Sequence, residues 1–470
     1  MMVNSDNITG HKSREQNLKY FRFDALLQRD GWLSPAYVGV DDTGIVRYLS
    51  DKTPTQTTPV EYVHGYALPG FQNAHSHAFQ FAMAGRAETH QPGSSDDFWS
   101  WREAMYACAL SMEPDEMEAV ATMLYATLLR NGYTHVAEFH YLHHDKNGKP
   151  YDNLAEMGLR LAEAAARAGI KITLIPVFYQ KGGFGMSPQP RQRRFISKTV
   201  DDYFHLLDDS AHALKNYKDA TLGFSVHSLR AVEREDIVTT YTQGPPDIPF
   251  HLHAAEQLKE VADCVGYLKQ RPVEWLLNNL SVSARFNLIH CTHMNDDEVK
   301  RLAASGATAV LCPGTEGNLG DGIFRLSDYA AAGGRWAIGT DSHISLTPVE
   351  DLRWLDYAQR LVTHKRNTFD DGGSLLIKTT VSSGRKAMGS SIEQFFSVGA
   401  PLDAVIFDSR SPLLAHGNLN HVLSGIVYTT GTNDISGTIV NGKWIVKNGR
   451  HVSDSVIRSS FQSAMKKISF

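Results

Sequence analysis

Cysteine is scarce in this sequence: Cys108, Cys264, Cys291 and Cys312 are the four in 470 residues, and no two form a Cys-x-x-Cys pair. That scarcity excludes a disulfide framework and a thiolate zinc site, and leaves buried thiols as the expectation. Long apolar runs are missing too. The best candidate, Ala119 to Leu129, is short and carries Thr122 and Thr127, so no membrane span is expected. Nor is there a positive excess: 46 Lys plus Arg stand against 51 Asp plus Glu, a formal net charge of −5, which argues against nucleic acid as a partner. The stretch Met1 to Lys19 is polar and mixed in charge, without the apolar core of a secretory leader, so a cytoplasmic location is expected. What is plentiful is histidine, with 21 copies.

Between Tyr66 and Asp341 short β-branched or aromatic runs alternate with longer amphipathic segments, the pattern of βα units. Strands are predicted at Gly65 to Phe71, Thr134 to Phe139, Lys171 to Phe178, Leu222 to Val226, Ile248 to Leu252, Phe286 to Ile289, Ala307 to Leu311 and Arg335 to Ile338. Helices are predicted at Asn153 to Ala168, Asp202 to Lys215, Glu233 to Tyr241, Asn295 to Ala304 and Leu326 to Ala332, with Asp202 and Asn295 as N-caps. Eight such units close most simply as an α/β fold of the (β/α)8 TIM-like barrel type; an open doubly wound sheet is the weaker alternative.

The two ends read differently. Ala36 to Leu49 and Val405 to Val452 are strand-and-turn sequence, with hairpin signals at Asn441-Gly442 and Asn448-Gly449. A small β-sandwich domain built from both termini is expected, residues 1–64 plus 395–470, beside a barrel domain over 65–394. The basic run Arg191 to Arg194 reads as a solvated loop.

Chemistry concentrates at predicted strand ends. In Leu68-Pro-Gly-Phe-Gln-Asn-Ala-His-Ser-His77, alternation along an extended segment puts His75 and His77 on one face, so both imidazoles can reach one metal ion. With this much histidine, one His-x-His is expected by chance, and a second occurs at His251-x-His253. Position carries more weight than the motif. His75, His227, His253, His290 and Asp341 each fall at or just past the carboxyl end of a separate predicted strand, the end where a barrel carries its active site. Glu256, three residues after His253, has a general acid/base placement, with a carboxylate favoured by a helix N-terminus as the plainer reading. Asp341 ends an apolar strand, where an unpartnered carboxylate is costly; metal ligation or a structural ion pair would explain it.

These strand ends resemble the amidohydrolase superfamily, whose barrels carry His-x-His first and Asp last. The runs Pro69 to Gln80, Phe98 to Tyr106, Ala137 to His144, His227 to Arg230, His251 to Gln257 and Cys312 to Phe324 resemble, more narrowly, its formimidoylglutamate deiminase branch. The resemblance implies one divalent metal ion, zinc or else iron, held by His75, His77, His253 and Asp341. It implies that His290 polarises a metal-activated water and that Glu256 shuttles its proton, with Asp341 at the catalytic centre. It further implies substrate contacts from Gln80, Arg102, Tyr141, His227 and Arg230, and a homodimer. The reaction it implies is hydrolytic deamination of N-formimino-L-glutamate, a step of histidine catabolism, to N-formyl-L-glutamate and ammonia; two arginines suit a small dicarboxylate.

Two other readings stay open. A deaminase of a cyclic amidine, such as a purine or pyrimidine base, would use the same metal, Glu256, His290 and Asp341, but would ask for stacking aromatics. A non-catalytic metal-binding barrel would fill fewer of these positions.

Overall fold

The computed structural model describes residues 18–55, 59–88 and 98–468, without the side chains of Phe98 and Trp99. Most of the polar amino-terminal stretch lies outside the described residues. Eight parallel strands hydrogen-bond in sequence order: β1 (Phe71–Ser76), β2 (Tyr133–His140), β3 (Lys171–Phe178), β4 (Phe224–Ser228), β5 (Phe250–Ala254), β6 (Phe286–His290), β7 (Thr308–Leu311) and β8 (Arg335–Ile338). Closure comes just past β8, where the backbone N–H groups of Thr340 and Asp341 both donate to the His75 carbonyl at 3.0 Å. Ser76 and Asp341 there form a parallel bridge. The (β/α)8 barrel is thus the fold, and Val, Ile, Leu and Phe side chains make up much of the buried core around its strands.

Two of the expected strand runs divide between neighbouring elements. The run at Gly65 to Phe71 divides: Val60–Pro69 belongs to a second sheet, and the barrel strand begins only at Phe71. The run at Leu222 to Val226 also divides, into Ala220–Leu222, which pairs with β3, and β4. The fifth strand starts later than expected because Pro249 has no N–H to give a ladder.

Helix starts follow local chemistry. Asn295 caps the helix Asp296–Ser305 as expected, its side chain accepting from the Glu298 N–H at 2.9 Å. Asp202 does not cap its helix. Thr199 does, and Asp202 sits one turn in, where its carboxylate accepts from the Thr199 N–H while the Thr199 hydroxyl oxygen accepts from the Asp202 N–H, both at 3.1 Å.

The chain ends supply the second, mostly antiparallel sheet. Its central strand, Val60–Pro69, pairs in parallel with Lys19–Gln28 and antiparallel with Ala404–Phe407. Two further reversals fall at Asn441-Gly442 (φ 47° and 69°) and Asn448-Gly449 (φ 52° and 72°), the positive values that tight hairpins need. The helix Leu419–Thr429 interrupts what reads as strand-and-turn sequence, burying Val422, Leu423, Ile426 and Val427 on one face. All four cysteines are buried free thiols. Among the described residues no helix is long and apolar enough to cross a membrane.

The basic run is not wholly solvated. Arg194 is fully buried, its guanidinium donating to the carbonyls of Ala109, Met112 and His144. Those three carbonyls lie on segments distant in sequence, so nothing local marks this arginine as interior.

Closure of the barrel depends on close backbone approach at Gly339, where a Cβ would lie 2.7 Å from the His75 Cβ and 2.8 Å from the His75 nitrogen. Gly339→Ala is expected to destabilise the protein by about 1–3 kcal/mol through overpacking. Gly317→Ala, inside a helix with open space around the new Cβ, should be neutral or slightly stabilising. Denaturant unfolding of the two variants checks the contrast.

Candidate active site

Strand alternation builds the site's centre. His75 and His77 point into the barrel mouth from the end of β1 while Ser76, between them, turns to the β2 carboxylate of Glu138. His253 joins them from β5. The Nε2 atoms of His77 and His253 each lie 3.1 Å from Nε2 of His75. Their Nδ1–H groups face outward to backbone: His77 donates to the Phe139 carbonyl at 2.9 Å and His253 to the His227 carbonyl at 3.0 Å. That fixes the tautomer and leaves the Nε2 lone pairs aimed at one another. Burial keeps all three imidazoles neutral, pushing His77 down to about 3.

Asp341 completes the cluster, with Oδ1 3.3 Å from His77 Nε2 and 3.6 Å from His75 Nε2. Burial alone would raise its carboxyl, but His75, His77 and His290 hold it well below the usual carboxylate range. A tetrahedral ion with bonds of about 2.0–2.1 Å has donor-to-donor edges of roughly 3.4 Å. Separations of 3.1–3.6 Å, three unprotonated imidazoles and one carboxylate therefore fit a divalent metal ion.

A second group stands beside the first. His290, at the end of β6, has Nε2 3.5 Å from Glu256 and 3.7 Å from Asp341, and Nδ1 3.2 Å from Glu316. Burial disfavours the charged ring, but Glu256, Glu316 and Asp341 together outweigh it and lift His290 to about 10. Burial also raises the Glu256 carboxyl, against the pull of His290 and Arg230. Arg230 lies between Glu256 and Glu260, at 3.6 and 3.5 Å. His290 (φ 71°) and Asp341 (φ 47°) adopt left-handed backbone conformations that cost non-glycine residues of order 1–2 kcal/mol each. Tertiary packing holds both bends.

Above the cluster opens a cavity of about 520 Å³, including its mouth. Gln80, Arg102, Tyr141, His227 and Arg230 all line it, with His77, His253, Glu256 and Asp341 at its floor. His75 and His290 lie just beneath. The second His-x-His divides: His253 is in the cluster, whereas His251 sits one layer deeper, its Nε2 at 2.9 Å from the Ala387 carbonyl. His143 and His144, near the end of β2, are tied to backbone carbonyls of Val177 and Ile196.

Several residues around the site have no sequence signal of their own. Glu316, Glu260 and Asp321 are buried carboxylates supplied by loops and helix starts. Tyr106 and Tyr179 enter the cavity wall from a helix and from the loop after β3. Glu138 could have been found, since a glutamate inside an apolar strand demands partners. It has three donors: Ser76 Oγ and Ala78 N–H at 2.6 Å, and the Tyr125 hydroxyl at 3.0 Å.

Comparison with known proteins agrees with this geometry. The family model described as "Amidohydrolase family" matches residues 66–445. A formimidoylglutamate deiminase of Pseudomonas aeruginosa is 40% identical over 445 residues, covering 93% of this chain and 97% of its own. A 5-methylthioadenosine/S-adenosylhomocysteine deaminase of Haloarcula marismortui is 23% identical, covering 94% and 92%. Among solved structures, an amidohydrolase from Brucella melitensis is 40% identical with a TM-score of 0.90, covering 96% of this chain and 99% of that one.

Glu138 holds the turn that carries both β1 histidines. Glu138→Gln is expected to weaken metal retention about 10- to 100-fold, the range for lost outer-shell partners. Competition with a chelator measures it.

Proposed function

This chain belongs to the amidohydrolase family, and on that premise we propose that it is a formimidoylglutamate deiminase, hydrolysing N-formimino-L-glutamate to N-formyl-L-glutamate and ammonia. The supporting observation is a cluster of His75, His77 and His253 with Asp341 against it, sharing one cavity with two arginines, in a chain 40% identical to a protein of that name.

His75, His77, His253 and Asp341 would hold the metal. A divalent ion there supplies Lewis acidity and draws the pKa of a coordinated water toward neutrality. Zinc suits imidazole and carboxylate donors, and ferrous iron would accept the same set. Metal analysis of the purified protein distinguishes them, and light scattering tests the homodimer the family resemblance implies.

Glu256 takes the proton from the attacking water and returns it to the departing nitrogen; its raised carboxyl pKa lets it carry that proton in between. Water oxygen bonds to the formimino carbon, the C–N bond to the terminal nitrogen breaks, and ammonia leaves protonated. His290, kept cationic by its carboxylate neighbours, donates to the oxygen as negative charge builds on it. Arg102 and Arg230 each offer bidentate donors to a substrate carboxylate, Tyr141 and Gln80 add polar contacts, and His227 lines the same wall.

A cyclic amidine is the second reading, favoured by the aromatic lining of Trp101, Tyr106, Tyr141, Tyr179 and Phe195. Ammonia release from formiminoglutamate, measured beside guanine, cytosine and adenosine, separates the two: turnover of a base with none of formiminoglutamate would overturn the proposal. Within it, Glu256→Gln should retain its metal while turnover falls about 10²-fold or more. Near-normal turnover would remove Glu256 from the shuttle role.

A further inference from the structure

One buried amide at the edge of the cavity decides which way its neighbours' hydrogen bonds run. Gln192 is fully buried at the end of a short 3-10 turn. Its Oε1 accepts the backbone N–H of Gln189 at 2.8 Å, and its Nε2 donates to the hydroxyl oxygens of Tyr106 and Tyr179, both at 3.0 Å. The orientation of this amide does not depend on telling oxygen from nitrogen. A backbone N–H can only donate, so the atom facing Gln189 is the oxygen and the NH2 group faces the tyrosines.

That orientation spends both amide hydrogens and occupies one lone pair on each tyrosine oxygen. Each hydroxyl keeps its own hydrogen. Tyr106 and Tyr179 lie close enough to interact with one another; if one donates to the other, the second still has an O–H left to donate. Both rings line the cavity beside Arg102 and Arg230. This end of the cavity therefore offers donors, a polarity suited to an anion and unsuited to the acceptor-donor edge of a neutral base.

Resting on the functional reading above, we propose that Gln192 is a specificity-determining positioning residue, which makes the Tyr106–Tyr179 hydroxyl pair a donor to one carboxylate of the substrate. It acts through the tyrosines and touches no reacting atom. Its amide is fully engaged by protein, so its contribution is to the direction of two hydrogen bonds and to the neutrality of the wall.

The test compares metal-loaded wild type with Gln192→Glu, which keeps the shape but replaces a donor by an acceptor. Three substrates are used: N-formimino-L-glutamate, N-formimino-4-aminobutyrate, which lacks the α-carboxylate, and N-formimino-L-glutamine, which lacks the side-chain charge. The variant should raise KM for the dicarboxylate roughly 10- to 100-fold, the scale of a hydrogen bond to a charged group. Metal content and kcat should stay near wild type, and the loss should vanish for whichever analogue lacks the carboxylate the tyrosines hold. If Gln192→Glu does not fold, the Tyr106→Phe/Tyr179→Phe double variant carries the same expectation. Equal losses on all three substrates, or a fall in kcat at unchanged KM, would overturn the assignment of Gln192. Metal-replete wild type releasing no ammonia from formiminoglutamate would instead overturn the functional reading and this inference with it.

Discussion

At the floor of the cavity Nε2 of His75 lies 3.1 Å from Nε2 of His77 and 3.1 Å from Nε2 of His253, a buried convergence of three imidazoles. The rest of the structure is arranged around that contact. Each ring is oriented by a strand end, and two are locked by N–H bonds to backbone carbonyls on neighbouring strands. A carboxylate, Asp341, reaches them from just past the strand that closes the barrel, and its backbone is stitched to the carbonyl of His75. Barrel closure and assembly of the cluster are the same event, so the geometry of the donors is set by the most cooperative part of the fold. A divalent ion held there would draw favourable bonds from donors that otherwise crowd one another.

Around this core, charge is packed at a density that only mutual compensation permits. Glu256, Glu260, Glu316 and Asp341 are all buried, and His290 and Arg230 stand among them as the cationic partners. Removing any one partner would leave an uncompensated buried charge, which is why such networks are functional more often than stabilising. The left-handed backbones at His290 and Asp341 belong to the same economy. Strain is accepted where a side chain must be aimed.

The repeating parts of the fold were legible in the sequence. Strand runs such as Lys171–Phe178 and Arg335–Ile338 have the boundaries the β-branched pattern indicates, and the Asn-Gly reversals at 441–442 and 448–449 turn as their chemistry requires. His75, His253, His290 and Asp341 could be singled out because their positions at strand ends follow from counting strands. What the pattern could not supply was anything fixed by tertiary contact. The run through Gly65 to Phe71 is one apolar stretch in sequence, but it is shared by two sheets. Arg194 reads as solvated because its three carbonyl partners come from distant segments. Gln192, two residues earlier, has nothing in its sequence neighbourhood to indicate the two tyrosines it meets. Thr199 and Asp202 differ by one turn in capping role, a distinction that needs the first helical residue to be known.

The strand Val60–Pro69 has a bearing on how the polypeptide matures on the ribosome. Its two neighbours are Lys19–Gln28, made just before it, and Ala404–Phe407, made only after all eight barrel strands. One edge of that strand stays open until the barrel strands have all emerged, and it runs through Gly70 directly into β1, which bears His75. The anchor of the strand that bears His75 therefore forms only after the barrel strands have been made, and a ribosome-bound chain that stops short of Ala404 presents an unprotected strand edge.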